Sequence, residues 1–176
     1  FDGPTDLSGL EPGFKSREIR WSIELAADGR FLNVLPLGDG KRGQELGRCP
    51  DMHGMQAGGR SHFLVESCQC AALLIKGDTA PEDKTLKRHA YFIGLLRQAA
   101  EAVPLLAPIA GLLANSEQVA KVREVLAAHK AKPTDWMCWR IAGRDPRDVP
   151  EVQGWWRNWR RVDLGGTPSE PELDLG

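Results

Sequence analysis

The chain has 176 residues, of which 41% are hydrophobic and 27% are charged, and its 23 Lys and Arg nearly balance its 24 Asp and Glu. These fractions exclude a collagen-like, disordered or disulfide-scaffold protein, and the length is sufficient for one domain with its own core. No apolar run reaches the roughly 18 residues of a membrane span, and four scattered Cys without a signal peptide favour a cytoplasmic protein.

The clearest predicted element is a β-hairpin over residues 18–37. Residues 1–13, which precede it, carry acids, prolines and glycines and are expected to be flexible. Apolar residues then alternate with polar ones in the period typical of a strand with one buried face, at Ile19, Trp21, Ile23 and Leu25. Asp28 and Gly29 tolerate the positive φ of a tight turn, and residues 31–37 are again apolar.

The chain after the hairpin is rich in glycine. Residues 38–59 therefore predict a long mobile loop, of the kind that often carries function. Residues 63–65 and 70–75 are apolar. They fit either two short strands or one strand followed by a helical turn, and periodicity alone leaves both open.

The middle of the chain is predicted to be helical. A first helix has its cap at Thr79 and Pro81 and ends at Pro104. A second covers residues 105–113, and a third covers residues 116–130 with Ser116 as its N-cap. A strand at 136–141 and a helix at 152–162 follow, and the acidic residues 163–176 are expected to form a disordered tail or linker.

This order of elements predicts an α+β fold. Strands and helices are segregated along the chain, which favours a small antiparallel sheet, made of the N-terminal hairpin and later strands, packed with a helical middle segment. We expect a single domain over residues 14–162.

Two kinds of chemistry are considered and set aside. Cys68 and Cys70 are candidate zinc ligands together with Cys49, His53 and His62, but their spacing does not fit a zinc ribbon. Two buried thiols on one strand face explain the pair without a metal. Nucleophile, phosphate-binding and dinucleotide motifs are absent, so no cofactor and no enzymatic activity are expected.

The tryptophans and arginines point to a binding function. Residues 130–161 contain eight basic residues against four acidic ones, together with five of the six Trp. Interleaved Arg and Trp suit phosphate contacts with base stacking, or a protein interface, although two or three of the indoles are expected in the core. The candidate arginines for nucleic-acid or partner contact are Arg144, Arg147, Arg157, Arg160 and Arg161.

Five segments in this order resemble the N-terminal domain of the large subunit of subtype I-C CRISPR surveillance complexes (Cascade). They begin with FKSREIRWSIELAADGRFLNVLPL and a Gly-rich basic loop, and continue with SHFLVESCQCAALLIKGD, KRHAYFIGLLRQAAEA and WMCWRIAGRDPRDVPEVQGWW. The likeness covers residues 14–162, and it implies a fragment of a longer subunit. The chain departs from the family at His62, where Asn is usual, at Glu66-Ser67, where Asp-Asn is usual, and in a shorter basic stretch before them.

The resemblance implies a non-enzymatic role in antiviral defence. Such a subunit recognises the protospacer-adjacent motif (PAM) on target duplex DNA, assembles with the other Cascade subunits and the guide RNA, and later recruits a helicase-nuclease, with base pairing supplying most of the sequence specificity. The DNA-binding residues that the resemblance implies are Lys41, Arg42, Arg60, Ser61, His62, Ser67 and Gln69. For Ser67 and Gln69, ordinary strand polarity is an equally good explanation.

Two alternatives belong to other functional classes. The chain could be a protein-protein scaffold that leaves DNA contact to another subunit of the complex. It could also process guide RNA as a nuclease, which would require a general base beside a basic groove.

Overall fold

The computed structural model describes residues 11–39, 41–52, 58–77 and 79–164, and the predicted flexible segment 1–13 and tail 163–176 lie mostly outside them. The described residues form an α+β fold, as predicted. The strands are β1 (Phe14–Ile19), β2 (Trp21–Leu25), β3 (Phe31–Pro36), β4 (Gln44–Pro50), β5 (Glu66–Ser67) and β6 (Trp136–Ile141). The helices are α1 (Cys68–Ala72), α2 (Asp83–Ala102), α3 (Ala107–Leu113), α4 (Ser116–Ala128) and α5 (Pro150–Trp159).

The larger sheet has the strand order β3-β2-β6-β5. The predicted hairpin is confirmed, because β2 and β3 are antiparallel with Ile23 opposite Val34. The sheet is mixed rather than wholly antiparallel, because β6 lies parallel to β2. A parallel neighbour requires a long crossover, and here that crossover contains β3, β4, β5 and helices α1 to α4.

The second sheet is a ribbon of β1 and β4, which corrects the prediction of an unbroken loop over residues 38–59. Residues 44–50 lack the apolar alternation that signals a strand, because most of their side chains are exposed. They are extended because β1 supplies hydrogen-bond partners from a distant part of the chain. The pairing register shifts between Lys15 and Arg17.

The region that periodicity left open is a very short strand followed by a helix. Ser67 ends β5 and is the N-cap of α1, where its hydroxyl oxygen accepts a hydrogen bond from the Cys70 amide at 3.4 Å. Cys68 and Cys70 are therefore helical rather than on one face of a strand. Leu73 ends the helix in the left-handed conformation, with φ of 56°.

The predicted helices are present, but two of their caps differ from the prediction. Asn115 rather than Ser116 caps α4, because its side-chain oxygen accepts the amide hydrogens of Glu117 and Gln118. Helix α2 begins at Asp83, and the Thr79 hydroxyl instead donates to the carbonyl oxygen of Lys76 at 3.0 Å.

The core lies between the larger sheet and the helices. Trp21 is buried in β2, and Trp139, Trp156 and Trp159 are buried in the basic segment, which confirms the expectation of two or three core indoles there. Trp156 donates to the carbonyl oxygen of Gly13 at 2.6 Å and stacks on Phe63. This contact joins α5 to the start of β1. Among the described residues no helix is long and apolar enough to span a membrane.

Candidate nucleic-acid interface

Lys41 and Arg42 lie in a tight turn at one end of the β1–β4 ribbon. The Asp39 carboxylate accepts the backbone amides of Lys41 at 3.1 Å and of Arg42 at 2.9 Å, and these bonds lower the pKa of Asp39. Gly38 is required here: its φ is 81°, and a Cβ would lie 2.1 Å from the carbonyl oxygen of Arg42. The turn therefore holds two cations at a fixed place on the surface.

The side chains of this turn remain accessible. Arg42 is 81% exposed, and its guanidinium lies 3.9 Å from the Glu18 carboxylate. The Arg20 guanidinium donates to the carbonyl oxygen of Lys41 at 3.2 Å, which places a third positive charge beside the turn. An exposed ion pair of this length is weak, so Arg42 can exchange Glu18 for another anion.

Arg60 lies beyond the opposite end of the ribbon. Strand β4 separates it from the Lys41–Arg42 turn, and seven residues of strand span about 20 Å. The structure therefore does not bring these predicted contact residues together around one loop. Gly58 and Gly59 precede Arg60 with φ of 81° and 88°, and the carbonyl oxygen of Arg60 accepts the Arg88 Nε–H at 3.1 Å.

Three of the other implied DNA contacts are buried. Ser61, His62 and Ser67 are 0%, 2% and 7% exposed. The Ser61 hydroxyl donates to the carbonyl oxygen of His62, and Ser67 caps α1. Gln69 is half-buried, and its backbone amide donates to the carbonyl oxygen of Pro133 at 2.9 Å. In this conformation Ser61, His62 and Ser67 stabilise the local fold rather than face a ligand.

His62 belongs to a buried ionic cluster, which we define as Arg17, Asp51, His62, Glu66 and Arg88. Asp51 bonds the Arg17 guanidinium and lies 3.4 Å from His62 Nδ1. Glu66 accepts the His62 amide at 2.8 Å and lies 3.6 Å from Arg88. The cluster connects the ribbon to the segment before α1 and to α2.

Both titrating groups at the centre of the cluster are shifted towards their neutral forms. Burial, reinforced by the charge of Arg17, lowers the pKa of His62 to about 4. Nδ1 of His62 also accepts the Met52 amide at 2.8 Å, a bond that a proton on this nitrogen would remove. Burial raises the pKa of Glu66, although two amide hydrogens and Arg88 oppose the shift.

The lowered pKa of His62 predicts a loss of stability in weak acid. An unfolded histidine titrates near 6.5, so between pH 6.5 and about 4 the unfolded chain binds the proton first and unfolding becomes more favourable. The raised pKa of Glu66 has the opposite consequence, because it stabilises the folded protein as the pH falls. The contribution of His62 is therefore measured as a difference between the wild type and a variant that lacks the imidazole. The excess unfolding free energy of the wild type over His62→Gln should fall across this range and stay constant above pH 7. Parallel pH curves in urea unfolding would contradict the prediction.

The arginines of the basic segment differ in their surroundings. Arg147 is buried: it donates to the carbonyl oxygen of Gly47 in β4 and lies 3.3 Å from Asp145, so it holds the ribbon against the turn before α5. Arg157 is exposed and paired with Glu11. Arg160 is half-buried, whereas Arg144 and Arg161 are exposed.

The four thiols are all free and buried, and burial raises the pKa of each. They are therefore protonated at neutral pH. Across the described ranges no group of three or more His, Cys, Asp or Glu could hold a metal ion. His53, one of the ligands considered for zinc, lies outside these ranges.

Sequence reasoning missed Arg17, Asp51 and Arg88. A signal for Arg17 was available, because it is in phase with Ile19 and Trp21, so the alternation that predicts buried apolar residues also directs Arg17 inwards. Its guanidinium lies 4.1 Å from the centre of the Trp136 ring. Asp51 and Arg88 had no comparable signal, since their partners lie far away in the sequence.

A family model described as CRISPR-associated protein (Cas_Csd1) matches residues 3–172 of the chain. No curated protein matches the sequence.

Proposed function

Because the chain belongs to the Cas_Csd1 family of CRISPR-associated proteins, we propose that it is part of the large subunit of a subtype I-C Cascade and contributes to PAM recognition on target duplex DNA. Its partners in this proposal are the other Cascade subunits, the guide RNA that they hold, and the helicase-nuclease of the system. The chain acts by binding and catalyses no reaction.

The Lys41–Arg42 turn is the observation that carries this proposal. Lys and Arg side chains that contact phosphate oxygens set the register and orientation of a protein on DNA without reading the base sequence. The Asp39 bonds fix this turn, and both cations are exposed. The turn is thus suited to a phosphate contact that does not depend on sequence.

Arg60 is the candidate for contact with a base, since arginine donates two parallel hydrogen bonds to guanine O6 and N7. It follows two glycines with positive φ, which allow the backbone to come close to a ligand. His62, two residues later, is buried. In this proposal His62 positions Arg60 instead of contacting DNA.

The absence of catalysis is part of the proposal, and two observations support it. The pKa of His62 is about 4 and the ring is 2% exposed, so it is a poor general base for a bound substrate. The thiols are buried and protonated. Cleavage of guide RNA by the purified, metal-free chain would contradict this part of the proposal.

The scaffold alternative is favoured by the burial of Ser61, His62 and Ser67, which removes three implied DNA contacts from the surface. It would leave DNA contact to another subunit. A complex that assembles normally and binds duplex DNA equally well with and without the Lys41–Arg42 cations would favour it.

Removing the turn cations should weaken duplex binding for every sequence alike. We expect Lys41→Ala and Arg42→Ala, in the assembled complex, to lower the affinity for cognate and scrambled motifs by the same factor. The slope of log affinity against log salt should fall by about one per lost phosphate contact. Arg30→Ala is the matched control, because Arg30 is also an exposed cation in a hairpin turn.

Arg60 tests the base contact separately. Arg60→Ala should reduce the preference for the cognate motif, by about 1–3 kcal/mol if a bidentate contact is lost. Unchanged discrimination would exclude Arg60 as the reader, and the contact would then be sought at Arg144, Arg157 and Arg161.

A further inference from the structure

A cavity of about 340 Å³ lies beside Arg60, between α2 and the end of the α5 segment. Its base is apolar, because Leu95 and Trp159 are buried. Its edge is polar and accessible, since Gln98 and Asp163 are exposed and Arg60 and Tyr91 are half-buried. The volume is at the lower end of small-molecule sites, which are roughly 300–1,000 Å³.

The edge of the cavity carries charges of both signs. Arg60, Tyr91 and Asp163 all line the cavity, so a cation, a phenol and a carboxylate surround it. Arg60 offers only donors, and the Asp163 carboxylate offers only acceptors. A ligand that fits both must present acceptors on one edge and donors on another.

We propose that this cavity binds one unpaired guanine base of a single-stranded nucleic acid. Guanine has acceptors at O6 and N7 for Arg60, and donors at N1 and N2 for Asp163. Tyr91 adds an aromatic side chain on which a base can stack. The proposal rests on the proposed function, because it takes nucleic acid as the partner and places Arg60 at the base.

Gly94 offers a way to close the cavity without disturbing the fold. It lines the cavity within α2, and a Cβ at this position would have no atom within 4 Å. Leucine also forms helices better than glycine. Gly94→Leu should therefore fill the cavity, and Gly154→Leu is the matched control, since this glycine of α5 is equally open and lines none of the cavity.

The experiment measures anisotropy of labelled 12-nucleotide dT strands, with and without one central guanine, on the full chain at low salt. We expect guanine to raise the affinity about tenfold in the wild type and in Gly154→Leu, and to have no effect in Gly94→Leu. Asp163→Asn, at an exposed position, should reduce the ratio of the affinity for the guanine-containing strand to the affinity for dT alone. The same measurement with rU strands, with and without one central guanine, shows whether the cavity binds the base in DNA or in RNA.

Two results would overturn the proposal: no guanine effect in the wild type, or an effect that survives Gly94→Leu. Failure of the proposed function is a different outcome, because duplex binding is tested at Lys41 and Arg42, at the other end of the ribbon. If guanine raises the affinity but the Lys41 and Arg42 variants keep their duplex affinity, the proposed guanine site is supported and the proposed phosphate contact of the turn is contradicted.

Discussion

Replacing Trp21 with alanine is expected to lower the free energy of unfolding by about 3–5 kcal/mol. The side chain is 4% exposed in β2, and its indole N–H donates to the Asp135 carboxylate at 3.0 Å. The ring also packs against His129, with 5.4 Å between ring centres. Alanine would leave a cavity and would remove one of two hydrogen bonds that Asp135 Oδ2 accepts. The other comes from the backbone amide of Lys132.

Urea unfolding of the full chain measures this change. The matched control is Leu32→Ala in the neighbouring strand β3, because Leu32 is 53% exposed. We expect Leu32→Ala to change the free energy of unfolding by less than about 0.5 kcal/mol. Equal unfolding midpoints for the two variants would contradict the burial of Trp21.

The sequence predicted those elements whose signals are local. The alternation from Ile19 to Leu25 and the turn at Asp28 and Gly29 determine the β2–β3 hairpin, and the helices follow their own periodicity. The strand β4 could not be predicted in this way, because it depends on pairing with β1, some 30 residues earlier. Glycine-rich, exposed residues give no period from which such pairing can be inferred.

The same limit applies to the candidate sites. Glycines lie near Lys41, Arg42 and Arg60 in the sequence, but the distance between the two groups depends on the extended conformation of β4. The cavity beside Arg60 combines residues from three separate segments, with Tyr91 in α2 and Asp163 after α5. Its members have no common spacing, so only the folded chain shows that they are neighbours.

The ionic cluster explains how a largely exposed ribbon is held to the rest of the protein. The Arg17 side chain is 16% exposed and that of Asp51 is 5% exposed. The Arg17 guanidinium also lies over Trp136 of β6, so this residue joins the ribbon to the larger sheet. The contact between Asp51 and His62 also joins the end of the ribbon to the residues next to Arg60.

Asp51→Ala should therefore be strongly destabilising, by about 3–5 kcal/mol, because it leaves the Arg17 cation buried without its carboxylate. Arg42→Ala, which removes an exposed ion pair, is the matched control and should cost less than about 1 kcal/mol. The double variant Arg17→Ala/Asp51→Ala should cost clearly less than the sum of the two single variants, since no uncompensated charge remains. Additive free energies in urea unfolding would show that the two residues stabilise the ribbon independently, and the cluster would then not be the link between the ribbon and the sheet.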